Sequence, residues 1–111
     1  MNPEFVAAER LILVGASGHG LVIADIVRRQ GRDALIGFLD SGKPVGAGPG
    51  GLPILGPGEA VAELAVQHGF TAAIVAVGHN EVRRRCVAML QAKMPALRFA
   101  SAIHPSSVVA E

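Results

Sequence analysis

The feature that most constrains the fold is a short apolar run followed directly by a glycine-rich segment and a helical pattern. Leu11–Val14 contains only aliphatic residues, which is typical of a strand buried on both faces of a parallel sheet. Residues 15–20 read Gly-Ala-Ser-Gly-His-Gly, and Leu21–Gln30 carries apolar residues at helical spacing. A second apolar strand is expected over Ala34–Leu39. This succession predicts a βαβ unit, and hence a small, mostly parallel α/β sheet flanked by helices.

The rest of the chain continues this alternation. Ser41–Gly51 holds five glycines and two prolines and is expected to be a mobile surface loop. Leu52–Gly56 is expected to be an edge segment because of Pro53. Further helices are predicted over Glu59–His68 and from the cap Asn80 to a point before Pro95, and further strands over Ala72–Val77 and Leu97–Ile103. The helical period predicts inward faces of Val22, Ile23, Ile26 and Val27 in the first helix and of Val82, Cys86, Met89 and Leu90 in the last, and Gly31 and Gly69 are expected to end their helices.

The composition excludes several classes of function. The chain has 111 residues, of which 50% are hydrophobic and 17% charged, so a single ordered domain is expected. A formal net charge of +1 and an aromatic content of 4% argue against a nucleic-acid partner. Cys86 is the only cysteine, and no cluster has metal-ligand spacing, so neither a disulfide nor a metal is expected. No apolar run reaches the roughly 18 residues of a membrane span, and the first residues do not resemble a signal peptide, so we expect a cytoplasmic protein with no membrane partner.

The glycine-rich turn is the strongest indication of a ligand. Glycines at a strand-to-helix turn let backbone N–H groups approach a phosphate at the positive end of the helix. The spacing is G-x-x-G-x-G and differs from the G-x-G-x-x-G of dinucleotide-binding proteins, which disfavours NAD. An acid follows the second strand, where folds of this kind place a carboxylate on a ribose or base. Unless the glycines only make a tight corner, the predicted substrate-binding residues here are Gly15, Ala16, Ser17, Gly18, His19, Gly20 and Asp40.

A second turn of the same kind follows the third buried strand. Gly78, His79 and Asn80 lie where a strand gives way to a helix, and ligands of open α/β sheets bind at these carboxyl ends. Both turns are therefore expected to face one crevice, and Arg83 completes the predicted substrate-binding set. Two alternatives remain, namely Asn80 as an ordinary N-cap and Arg83 as part of a solvated basic run. No catalytic constellation is present, so no catalytic residue is predicted in this chain.

Several separated motifs also occur in the order of a known family. They are Leu-Ile-Leu-Val-Gly-Ala-Ser-Gly-His-Gly at 11–20, Gly-Phe-Leu-Asp at 37–40, Pro-Ile-Leu-Gly at 53–56, Ala-Val-Gly-His-Asn at 76–80 with Arg83, and Ile-His-Pro at 103–105. From Leu11 onward the chain resembles the N-terminal domain of the sialic acid O-acetyltransferase and bacillosamine/perosamine N-acetyltransferase family. It departs from the family at Ser41, where many relatives have a second Asp, and at His79, where Asn or Asp is common.

The resemblance implies a Rossmann-like domain that, in the family, precedes a left-handed β-helix of hexapeptide repeats. That β-helix trimerises, binds acetyl-CoA between subunits and supplies the general base, whereas the first domain helps to bind a nucleotide-activated amino sugar. The β-helix is absent from this chain. The implied division is an N-terminal extension over 1–10, a Rossmann-like nucleotide-sugar-binding domain over 11–103, and the start of the connection to the missing β-helix over 104–111.

The resemblance therefore predicts the nucleotide-sugar-binding domain of an acetyl-CoA-dependent sugar N- or O-acetyltransferase. Its expected partner is a UDP- or GDP-linked amino sugar or a sialic acid, and the intact protein is expected to be a homotrimer. This chain alone is expected to be inactive, not to bind acetyl-CoA, and to be a monomer or weak dimer. The alternatives are a stand-alone nucleotide-binding or regulatory module without transferase activity and a fragment of a dinucleotide-dependent oxidoreductase, which the glycine spacing disfavours.

Overall fold

The computed structural model describes residues 9–31 and 33–100. Its strands are β1 (Arg10–Val14), β2 (Ala34–Leu39), β3 (Gly46–Ala47), β4 (Pro53–Gly56), β5 (Ala72–Val75) and β6 (Arg98–Phe99), and its helices are α1 (Gly18–Gln30), α2 (Val61–His68) and α3 (Asn80–Lys93). They form a six-stranded sheet in the order β3-β4-β2-β1-β5-β6, in which only the β3–β4 pair is antiparallel. This is the mostly parallel α/β sheet that the sequence predicts. The order of the strands reverses at β1, which has β2 on one side and β5 on the other.

Two hydrophobic clusters cover the two faces of the sheet. Leu11 and Leu13 of β1 pack on one face with Ala24 and Val27 of α1. The alternate residues of β1 pack on the other face with Val61 of α2 and the neighbouring helix α3. Because successive side chains of a strand point to opposite faces, the apolar residues 11–14 of β1 require helices on both sides, and the structure supplies them.

The first helix differs from its prediction in both its start and its orientation. It begins at Gly18, so two glycines of the predicted loop belong to the helix. The predicted inward residues Val22 and Ile26 are exposed, at 58% and 36%, while Gly20 and Ala24 are buried. A Cβ at Gly20 would overlap the Gly15 carbonyl oxygen and approach the Phe38 ring. The predicted inward residues Val27 and Ile23 do pack against the sheet. The helix lies so close to the sheet that Gly20 and Ala24 share this inner face, while Val22 and Ile26 turn outward.

Further corrections concern the ends of elements. Leu52–Gly56 is not an edge segment, because β3, formed within the predicted loop, pairs with β4 on its outer side. Pro53 is tolerated as the first residue of β4, where a missing N–H costs the ladder little. The N-cap of α3 is His79, and Asn80 is its first helical residue. Helix α2 begins at Val61 and is preceded by a 3-10 turn over Gly58–Ala60. Strand β5 ends two residues earlier than predicted, at Val75.

Other predictions about the helices are confirmed or only partly correct. Gly31 and Gly69 end α1 and α2 in the left-handed conformation, as predicted. Of the predicted inner face of α3, Leu90 is fully buried, whereas Val82 is 44% exposed. Residues 101–103 of the predicted last strand and the Ile-His-Pro motif at 103–105 lie outside the described residues.

Candidate functional site

Two glycines of the 15–20 turn are required by the fold itself. Gly15 has φ +110°, and its amide donates to the Leu39 carbonyl oxygen at 2.9 Å. A Cβ at this position would lie 2.8 Å from the Ala76 carbonyl oxygen, at the end of β5. A side chain at Gly20 would likewise overlap the backbone of the turn, because its Cβ would lie too close to the Gly15 carbonyl oxygen. Because Gly15 touches the segment after β5, the two predicted turns lie side by side at the carboxyl edge of the sheet.

Gly18 and Gly78 have no such role in packing. Both are exposed, neither has a positive φ, and a Cβ at either position would meet no atom within 4 Å. The fold therefore leaves an open space in front of the backbone at each turn. A glycine that the fold does not require is compatible with the close approach of a ligand to the main chain.

The amino end of α1 is open to an anion. Its cap residue, Ser17, makes no side-chain hydrogen bond to the helix, and the first turn holds no acidic residue. The N–H groups of the first turn of a helix have no carbonyl partner within it, and the helix dipole places positive potential there. The amino end of α3 differs, because Glu81 lies in its first turn. Within the helices themselves, the first turn of α1 thus lacks the acidic side chain that α3 carries.

Asp40 fastens the first turn to the loop after β2. Its Oδ2 accepts from the Ala16 amide and its Oδ1 from the Gly42 amide, both at 2.8 Å. A carboxylate has about four acceptor positions, so these two bonds leave capacity for a ligand hydroxyl. The structure thus gives Asp40 a role in shaping the loop that the sequence analysis did not foresee, and its contact with a ligand remains a prediction.

A groove of about 320 Å³ lies beside the turn, on the α3 side of the sheet, and we call it the carboxyl-end groove. Its apolar side chains come from the ends of β1 and β2, from the segment after β5 and from α3. Burial raises the pKa of the half-buried Cys86 thiol, with a smaller contribution from the charge of Glu59, so the groove presents a neutral thiol. The groove is lined by Val14, Gly15, Leu39, Asp40, Ser41, Gly42, Gly58, Val77, Val82, Cys86 and Met89.

The predicted site residues do not all meet in one place. Gly15 and Asp40 line the carboxyl-end groove, but Asn80 and Arg83 line a separate cavity of about 440 Å³ between α3 and the β5–β6 strands. His19 and His79 are exposed at the two turns and line neither space. Only Gly15 of the first turn lines the groove, and none of Gly78, His79 and Asn80 does. The two turns lie close together, but a single crevice shared by them stays a prediction.

The sequence analysis missed one polar contact at this edge. The Ser41 hydroxyl donates to Oε1 of Glu59 at 2.7 Å and accepts from the Gly58 amide at 3.3 Å. Glu59 lies just after β4, at the same carboxyl edge as the other turns. The signal in the sequence was that Glu59 follows the end of a strand. It was missed because residues 59–68 have the apolar spacing of a helix.

The comparison with known proteins assigns the family. Residues 10–90 match the family model of the PglD N-terminal domain. The chain belongs to this family. No curated protein matches it.

Solved structures show the same relationship for this PglD N-terminal domain. It is similar to a perosamine N-acetyltransferase variant from Caulobacter crescentus in complex with CoA and GDP-perosamine, with 25% identity and a TM-score of 0.72 over 95% of this chain and 46% of that one. The acetyltransferase domain of PglB from Neisseria gonorrhoeae, in complex with acetyl coenzyme A, matches with 24% identity and a TM-score of 0.61 over 79% of this chain and 41% of that one.

The similarity to the PglB domain, at 24% identity, and a third similarity concern the fold alone. UDP-D-quinovosamine 4-dehydrogenase from Vibrio fischeri shares 20% identity and a TM-score of 0.67, over 84% of this chain and 76% of that one. The chain thus belongs to a domain family of sugar N-acetyltransferases and spans 46% of the perosamine enzyme.

Two further findings concern only the described residues, 9–31 and 33–100. No helix there is long and apolar enough to cross a membrane. No group of three or more His, Cys, Asp or Glu side chains among them is arranged to hold a metal ion.

Proposed function

We propose that this domain binds the nucleotide part of a nucleotide-linked amino sugar on behalf of a sugar N- or O-acetyltransferase. The observation that carries this proposal is the open backbone at Gly18, at the uncapped amino end of α1, next to the carboxyl-end groove. This end lies at β1, where the strand order reverses. Open α/β sheets bind their ligands in the crevice at such a reversal.

The two parts of the site suit the two parts of a nucleotide. The pyrophosphate lies on the amino end of α1, where backbone N–H groups and the helix dipole favour an anion. The nucleoside enters the carboxyl-end groove, whose volume of about 320 Å³ suits part of a ligand rather than a whole nucleotide sugar. Asp40 lies between the two and accepts from a ribose hydroxyl with its remaining acceptor positions. The sugar then extends out of the groove.

The acetyl-transfer step belongs to the longer protein. The acceptor amine or hydroxyl attacks the thioester carbonyl of acetyl-CoA, a general base removes its proton, and the thiol of CoA leaves. No residue of the proposed site is assigned as that base. The complex of the perosamine enzyme with CoA and GDP-perosamine supports this division, since the present chain matches less than half of that protein.

Isothermal titration calorimetry of the purified chain tests the proposal. We expect saturable binding of UDP, GDP or a sugar derivative of either at or below about 1 mM, and no binding of acetyl-CoA. Free sugars without a nucleotide are the control and are expected not to bind. Absence of saturable binding by all nucleotides would refute the assignment, and preferential binding of NAD would favour a dinucleotide-binding module instead.

A further inference from the structure

A carboxylate adjoins two residues that line the carboxyl-end groove, although it is not itself part of the lining. Glu59 is exposed, and its Oε1 accepts from the hydroxyl of Ser41, which lines the groove. The Ser41 oxygen also accepts from the amide of Gly58, another lining residue. The Ser41 hydroxyl therefore holds the Glu59 side chain against the loop rather than leaving it free in solvent.

This carboxylate is charged at neutral pH and acts across the groove. The hydrogen bond from Ser41 is the largest of the effects that lower the pKa of Glu59. The charge of Glu59 in turn contributes to the raised pKa of Cys86, on the α3 wall. A base lying between the Ser41 loop and α3 therefore has this negative charge near its edge, and the positive charge of Lys93 acts on the same carboxylate.

We propose that Glu59, positioned by Ser41, selects guanine over other nucleobases in the carboxyl-end groove. This inference rests on the proposed nucleotide-binding function and adds the identity of the base. A carboxylate only accepts hydrogen bonds, and it accepts two parallel ones well. Guanine offers two adjacent donors, its N1–H and its exocyclic N2 amine, on one edge.

Other bases match this carboxylate less well. Uracil offers a single N–H between two carbonyl oxygens, and those oxygens are repelled by a negative charge. Hypoxanthine keeps the N1–H of guanine and lacks only the amine. We therefore expect affinity to fall in the order GDP, IDP, UDP.

Calorimetry with these three nucleotides on wild type, Glu59→Gln and Glu63→Gln tests the inference. We expect Glu59→Gln to weaken the affinity for GDP by about tenfold or more, because charge-assisted hydrogen bonds are lost. The affinity for UDP should change by less than about twofold. Glu63→Gln is the matched control, because Glu63 is an exposed acid in the first turn of α2, and it should leave all three affinities unchanged. Unfolding temperatures of the three proteins verify that they fold alike.

Ser41→Ala tests the positioning role separately. It should reduce the ratio of GDP to UDP affinity by about threefold, since the carboxylate keeps its charge and loses its tether. Equal binding of GDP and UDP by wild type, or an equal loss of both in Glu59→Gln, would overturn the selection of guanine while leaving nucleotide binding intact. If none of the three nucleotides binds wild type, the nucleotide-binding function fails as well.

Discussion

At the residue scale, the glycines of the first turn separate into two kinds that mutation can distinguish. Gly18 lies in open space, so Gly18→Ala should fold normally and gain up to about 0.5–1 kcal/mol of stability from its helical position. The same methyl group would stand where we place the phosphate, so nucleotide affinity should fall by about tenfold or more. Gly20→Ala should instead destabilise the fold by about 1–3 kcal/mol, because its Cβ overlaps backbone.

Thermal unfolding and calorimetry on the two variants measure these effects independently. His19→Ala is a useful third variant, because it removes an exposed side chain and should cost at most about 0.5–1.5 kcal/mol of binding. A well-folded Gly18→Ala that binds nucleotides like wild type would show that the phosphate does not lie on this turn.

At the element scale, the amino edge of the sheet is closed by a polar contact between strands. The Glu9 carboxylate accepts from the Arg98 guanidinium at the start of β6 and, at 3.0 Å, from the Thr71 hydroxyl just before β5. The Glu9 amide donates to the Asp33 carboxylate at 3.1 Å. These bonds tie the chain before β1 to the starts of three other strands.

This contact predicts a dependence of stability on pH. The hydrogen bonds from Arg98 chiefly lower the pKa of Glu9 below its ordinary value of 4.5. The stability it contributes is therefore fully present above the unfolded pKa and is lost as the pH falls through the lower folded pKa. Glu9→Gln should cost about 1–2 kcal/mol at pH 7, and the difference from wild type should shrink below about pH 4.5.

Urea unfolding of both proteins between pH 7 and pH 3 measures this difference. Glu81→Gln is a suitable control, because its contact with Arg84 is long, at 3.6 Å, and exposed. A constant difference between wild type and Glu9→Gln down to pH 3 would show that the Glu9 carboxylate is not the titrating group.

At the scale of the whole molecule, this chain corresponds to only part of the longer proteins that it resembles. The chain spans 46% of the perosamine enzyme. We expect the chain to be a monomer or weak dimer by light scattering and to show no acetyl transfer from acetyl-CoA to a nucleotide-linked amino sugar. A longer protein that contains this domain and a hexapeptide-repeat segment should turn over and be trimeric. Turnover by the 111-residue chain would place a catalytic base among its own residues.

The sequence by itself determined the order and type of the three helices and of the strands other than β3, which formed within a predicted loop. The apolar run Leu11–Val14 and the helix-ending residues Gly31 and Gly69 are local signals. The spacing of apolar residues and the backbone conformation of a glycine depend on only a few neighbours in the sequence. The same signals located the glycine turn and the acid Asp40 at strand ends. They therefore indicated the edge of the sheet at which the proposed site lies.

The tertiary structure alone decided how the residues at that edge are used. Whether a glycine is required by packing, as Gly20 is, or faces open space, as Gly18 does, depends on how closely α1 approaches the sheet. The bond between Ser41 and Glu59 joins residues 18 positions apart. Asn80 is separated from the groove because other residues of α3, such as Val82 and Cys86, line it. Such contacts depend on the relative placement of whole elements, which a pattern of nearest neighbours in the sequence does not encode.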